Sequence, residues 1–206
     1  DVEIYKVGWN IESVYGNDLD LFIQNSSGNF NWYTLQAKVM SASGEYSDLK
    51  QKNVTTQQWQ KLQTHESVFG SKAFYLLYNG RFSHTINSIT LTRSDCIGIP
   101  PLNELGLGIV EVDDIANLRV GMTPSHPIRF NQVCPDYIDS IRKLFCCINS
   151  LPPTKRQFSR DEIKTDGYQK SFYNDNFVDS KLEETSLPEG AAPIRMIIKL
   201  KENASH

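Results

Sequence analysis

Three features of the sequence predict an α/β domain. Residues 16–40, GNDLDLFIQNSSGNFNWYTLQAKVM, alternate apolar and polar positions on either side of a turn, which marks a β-hairpin. Residues 73–78, AFYLLY, form the continuous apolar run expected of a strand buried on both faces by flanking helices. Residues 55–67 and 136–148 space their apolar side chains as helices do.

Size and charge set the outer limits. A chain of 206 residues, 39% hydrophobic and 22% charged, is long enough for one globular domain with a real core, read as a catalytic core over 1–93 and a helical and loop elaboration over 94–206. No apolar run approaches the roughly 20 residues that span a bilayer, and no signal-peptide pattern starts the chain, so no membrane partner and a cytoplasmic location are expected. The net charge of −3 is not the strongly basic balance of an avid nucleic-acid binder. Its distribution is uneven, however. Residues 1–24 hold five acids and one Lys, whereas 41–93 and 139–164 each hold six bases and three acids, as suits either a site with bases around it or ordinary surface mixing.

In chain order, residues 2–11 read as a strand leading into Glu12. In the hairpin, Leu19, Leu21 and Ile23 face the same way as Leu35, Ala37 and Val39, and the other face carries Asp18, Asp20, Thr34, Gln36 and Lys38. Asn25 to Asn29 supply turn chemistry. Only a register with an even sum of paired numbers keeps both apolar sets on one face. Pairing Gln24 with Phe30 meets that condition and sets Asp18 opposite Gln36 and Asp20 opposite Thr34, with Lys38 on the diagonal.

A carboxylate, an amide oxygen and an ammonium then converge. Oxygen donors suit a hard cation such as Mg²⁺, with Mn²⁺ as substitute, so Asp18, Gln36 and Asp20 are the expected metal ligands and Glu12 a further acid. Lys38 is expected to orient or deprotonate the attacking water and to offset charge in the transition state. Taken singly, these residues equally describe a solvated strand face with a gatekeeping Lys. Their meeting on one face is what points to chemistry.

Gly16-Asn17-Asp18, the hairpin and Gln36-Ala37-Lys38 resemble the core of the PD-(D/E)xK, restriction-endonuclease-like superfamily in the variant where Gln replaces the second acid. Tyr46 to Leu49, Gln57 to Leu62 and Phe74 to Asn79 extend the resemblance to an uncharacterised bacterial family within it, over roughly the first 80 residues. The resemblance implies a three-layer α/β core with a mixed sheet and Mg²⁺-dependent cleavage of DNA by an endonuclease, in bacterial antiphage defence. DNA, a homo-oligomer or a larger defence complex are then the expected partners. Because Gln compensates a metal's charge less than an acid does, a catalytically inactive nucleic-acid-binding or assembly module is the alternative, and a ribonuclease a further one.

After the hairpin, 41–52 reads as a loop anchored by Tyr46 and Leu49. The helix over 55–67 opens on a Thr and turns Trp59 and Leu62 to one side, with Gln57 and Gln58 near the chemical face and His65 read as a surface residue. Asn79-Gly80 turns the chain after the buried strand, 88–92 is a further strand, and a helix starts at Asp113. Residues 136–148 give the best helix of the second half, with Ile138, Ile141, Leu144 and Phe145 on its stripe. Residues 154–190 are polar and read as a long arm in which Lys155, Arg156 and Arg160 are candidate phosphate contacts. Residues 193–200 make a last strand at the sheet edge. Cys96, Cys134, Cys146 and Cys147 are expected as reduced thiols, and a zinc site on His126, Cys134 and the adjacent pair lacks the usual ligand spacing.

Overall fold

A computed structural model describes residues 1–6, 14–46, 49, 57–80, 98–99, 105–122, 126–146, 154–171 and 188–199. The chain is α/β with a mixed central sheet, as the alternation and the buried run predict. It divides into two compact units, Asp1–Leu35 with Thr64–Lys72 and Pro153–His206, and Gln36–Gln63 with Ala73–Pro152. Both units draw on sequence before and after residue 93.

In the first unit the strands run in the order β10 (Gln169–Ser171), β1 (Val2–Lys6), β11 (Ile194–Ile198), β2 (Leu19–Gln24) and β3 (Phe30–Val39), with β9 (Gln157–Phe158) pairing the start of β3. Strand β11 is antiparallel to β1 and parallel to β2, which makes the sheet mixed. Between β2 and β3 the register is Leu19 to Leu35, Asp20 to Thr34 and Gln24 to Phe30. That is the register expected from keeping the apolar sets together, closed by the Asn25–Asn29 turn, in which the Asn25 N–H donates to the Asn29 carbonyl at 2.7 Å. Tyr5, Phe22, Phe30, Trp32, Phe158, Ile163 and Ile197 form the core of this unit, with Phe69 and Tyr168 against it. Aromatic rings dominate it: Phe22 stacks on Trp32 at 5.1 Å, and Phe158 meets both edge-on.

In the second unit the end of β3 (36–39), β5 (Lys72–Tyr78), β6 (Leu107–Glu111) and β8 (Asp139–Ser140) form successive neighbours, and β4 (Glu45–Tyr46) pairs β7 (Ile128–Arg129) separately. Its core joins Tyr46, Leu62, Tyr75, Leu77, Val110, Ile115, Ile128 and Ile138. Strand β5 is buried from Lys72 to Leu77, on both faces as the apolar run predicts. The helix predicted from Trp59 and Leu62 is α1 (Gln58–Phe69), and that at Asp113 is α2 (Val112–Arg119). No helix among the described residues is long and apolar enough to cross a membrane.

Several expectations are corrected. Residues 136–148 do not make one helix: Asp139–Ser140 is strand β8, paired with β6, and among the described residues of this stretch only Lys143–Cys146 is helical. Ile138 enters the space above Gly108, where a Cβ would lie 2.5 Å from Ile138 Cδ1, so tertiary pairing outweighs the helical stripe. Residues 193–200 do not form an edge strand; β11 sits between β1 and β2. The arm over 154–190 contains β9 and β10, and the loop over 41–52 contains β4. Val39, expected on the apolar face, is 67% exposed. Cys146 is disulfide-bonded, against the expectation of reduced thiols, whereas Cys134 is a free buried thiol raised by burial to about 11. The zinc alternative has no support among the described residues, where no three His, Cys, Asp or Glu side chains gather. Glu12 and the strand expected over 88–92 lie outside the described residues.

Candidate active site

Strand β2 delivers two acids with different environments. Asp18, just before the strand, is exposed, and its N–H donates to the Leu35 carbonyl at 2.9 Å. Asp20, two residues on, has no exposed surface. A carboxylate buried that deeply must be paired and hydrogen-bonded, and Asp20 is. Its Oδ2 accepts from Arg195 Nε at 3.1 Å and from the Ala192 N–H at 2.9 Å, while Oδ1 accepts from Asn17 Nδ2 at 3.0 Å and from the Thr34 hydroxyl at 3.5 Å. Asp20 was expected to ligate metal. Its lone pairs are instead committed to these four donors, so it does not fit that role.

Arg195 answers Asp20 from the neighbouring strand β11, the two being register partners. Its guanidinium also donates to the Lys164 carbonyl and lies 5.3–5.6 Å from the ring centres of Tyr168, Phe22 and Trp32. Aromatic faces on a delocalised cation offset part of the cost of removing it from water.

His65 extends the network from helix α1. It is fully buried, not on the surface, among the rings of Tyr15, Trp32 and Phe69. Its Nε2 lies 2.7 Å from the Gly190 carbonyl, which can only accept, so Nε2 carries the proton and Nδ1 accepts from the Ser71 hydroxyl at 2.7 Å. Burial holds the imidazole below its ordinary pKa, against the field of Asp20 and the hydrogen bond to Gly190. The ring is therefore neutral near pH 7. The Gly190 carbonyl also accepts from Asn17 Nδ2 at 3.3 Å. Gly190 holds a φ of 76°, and a Cβ there would meet Phe69 Cε2 at 2.6 Å, so glycine is required twice over.

On β3, Thr34, Gln36 and Lys38 alternate on one side of the strand. All three are buried, with Gln36 5% and Lys38 8% exposed. Thr34 opposes Asp20, and Gln36 and Lys38 follow it with the same parity into the second unit. The Gln36 Oε1 accepts from Gln58 Nε2 at 2.8 Å, and its Nε2 donates to the Ala37 carbonyl at 3.3 Å. Asp18 in the first unit and Gln36 in the second each carry oxygen of the kind a hard divalent cation takes, whereas that of Asp20 is committed to its four donors.

The three candidate phosphate contacts differ in how they are engaged. Lys155 is exposed. Arg156 pairs with Glu162 and sits 4.7 Å from the Phe158 ring centre. Arg160 donates to Glu3 Oε2 at 2.8 Å and to the Tyr5 hydroxyl at 3.1 Å.

Asn17, His65, Ser71, Gly190 and Arg195 were not among the residues picked from sequence. One signal was present: Arg195 interrupts the apolar run PIRMII, and a charge inside a buried strand calls for a partner. Neither the curated proteins nor the solved structures offer a match to this chain. A family model covers residues 1–203, and the chain belongs to that family, DUF6615, a family of unknown function.

Proposed function

We propose that the protein is a Mg²⁺-dependent phosphodiesterase that cuts DNA as an endonuclease, acting in bacterial defence within the cytoplasm. The observation that carries this reading is the β2–β3 register, which sets Asp20 opposite Thr34 and runs Thr34, Gln36 and Lys38 along one side of β3; in this reading Asp18, just before β2, joins them. Burial of Gln36 and Lys38 supports it, since polar side chains are seldom held so far from water without a task. In this reading Asp18 and the Gln36 oxygen hold the cation. A metal held there would supply Lewis-acid chemistry, acidifying a water and polarising the phosphate. Gln58 fixes the Gln36 amide so that its oxygen keeps one orientation. Lys38 holds the attacking water and offsets charge on the phosphate oxygens.

The test is cleavage of supercoiled plasmid with Mg²⁺ or Mn²⁺, with EDTA and with Lys38→Met as controls. Nicking or cutting is expected with either metal only. Activity that persists in EDTA would remove the metal mechanism.

A second reading, a nucleic-acid-binding or assembly module without catalysis, is favoured by the full commitment of Asp20 to Arg195, Ala192, Asn17 and Thr34, which takes one of the two candidate acids away from a metal. Inactivity on DNA and RNA alongside metal-independent DNA binding would select it.

A further inference from the structure

At the β10-β1-β11 side of the first unit, one carboxylate gathers three cations. Glu3 Oε2 accepts from Arg160 Nη2 at 2.8 Å and from the Tyr5 hydroxyl at 3.0 Å. Glu3 Oε1 accepts from Lys199 Nζ at 2.9 Å and lies 3.8 Å from Lys170 Nζ. A single negative charge thus faces three positive ones. The Glu3 side chain is 12% exposed, whereas those of Arg160, Lys170 and Lys199 are 36%, 49% and 33% exposed. The acid lies beneath and the cations reach solvent. Burial alone would raise the Glu3 carboxyl, but the hydrogen bonds from Lys199, Tyr5 and Arg160 hold it at about 2, so it stays ionised and keeps all three in place.

Surface charges usually alternate in sign, so an excess of two positive charges around one buried acid is a concentration that an anion would relieve. Register places the cluster. Tyr5 opposes both Lys170 and Arg195, and Arg195 opposes Asp20, so the cluster shares a sheet face with Asp20. Strands β1 and β2 lie two strand spacings apart, about 10 Å. None of the four residues belongs to the group assigned to catalysis.

We propose that Arg160, Lys170 and Lys199, held by Glu3, form a subsite for a phosphodiester group of a nucleic-acid backbone. This rests on the nucleic-acid reading above and adds a binding element to it. Arg160 supplies a planar fork and the two lysines point charges, which together suit phosphate oxygens without reading a base.

The test measures binding of a fluorescein-labelled DNA duplex in EDTA, so that cleavage plays no part, as a function of salt. With Lys170→Gln/Lys199→Gln, the slope of log K against log salt should become shallower by about 1.8, from two charges at about 0.9 each. Inorganic phosphate at matched ionic strength should not displace the duplex. An unchanged slope, displacement by millimolar phosphate, or no DNA binding by wild type would each overturn the proposal. A shallower slope without any cleavage by wild type would keep this subsite and remove the catalytic reading; Lys38-dependent cleavage with an unchanged slope would do the reverse.

Discussion

Asp20 and Arg195 form an ion pair in which the side chains keep 0% and 4% of their surface, with Nε 3.1 Å from Oδ2. Removing either charge leaves the other buried and uncompensated, which typically costs about 3–5 kcal/mol. Asp20→Asn and Arg195→Met should each lower the unfolding free energy by an amount in that range, read as a lower urea midpoint with an unchanged m-value. The double variant should lose less than the sum of the two, because its partners are removed together. Single losses under about 1 kcal/mol would mean that the pair is not held as described.

His65 gives the network a pH dependence whose sign follows from burial. Its folded pKa lies below the ordinary 6.5, so below that pH the unfolded chain binds a proton that the native one does not. Stability should therefore be full above pH 6.5 and fall as the pH drops from there towards the folded value. His65→Gln should be less stable at pH 7 but should flatten this limb, measured as denaturant midpoints between pH 7.5 and 5. An equally steep limb in the variant would assign the effect to another group.

What the sequence made legible depended on how local the information was. The hairpin register followed from parity, since any odd shift would have turned Leu19, Leu21 and Leu35 away from each other. The buried character of β5 followed from its unbroken apolar run. Asp20 misled because a strand's period assigns a face without saying what covers it. Its partner Arg195 lies 175 residues away on a strand inserted parallel to β2, and no local pattern announces that neighbour. His65 was hidden for the same reason: it sits in α1 among Gln, Thr and Glu, and its cover comes from Tyr15, Trp32 and the Gly190 loop. Residues 136–148 show the converse, a helical stripe overruled by pairing with β6.

Lys38 and Asp18 separate the chemical step from metal capture. Because Lys38 is 8% exposed, Lys38→Met is the better test than Ala: it keeps the aliphatic stem and fills the same space. Asp18 is exposed, so Asp18→Asn should stay within about 0.5 kcal/mol of wild type. Loss of the Lys should lower cleavage at every metal concentration, whereas loss of the Asp charge should weaken metal binding and be partly restored by added Mn²⁺. Wild-type rates in both folded variants would place the chemistry elsewhere.

Gln36 offers the sharpest test of the metal reading, because one atom changes its charge. Gln36→Glu keeps the length of the side chain, and the Gln58 Nε2 that now donates to Gln36 Oε1 at 2.8 Å can donate equally to a carboxylate. The variant loses the donation from Nε2 to the Ala37 carbonyl at 3.3 Å and takes on the cost of ionising a group at 5% exposure. Without metal the variant should therefore be less stable than wild type. With Mg²⁺ the added charge should compensate the cation, so that metal raises its melting temperature more than it raises that of wild type and the Mg²⁺ needed for half-maximal cleavage falls. Gln58→Ala should move the metal requirement the opposite way, by freeing the amide to rotate, with little change in kcat at saturating metal. If Mg²⁺ stabilises the Gln36→Glu protein no more than wild type, no cation sits beside that oxygen, and the binding-module reading takes the place of the nuclease.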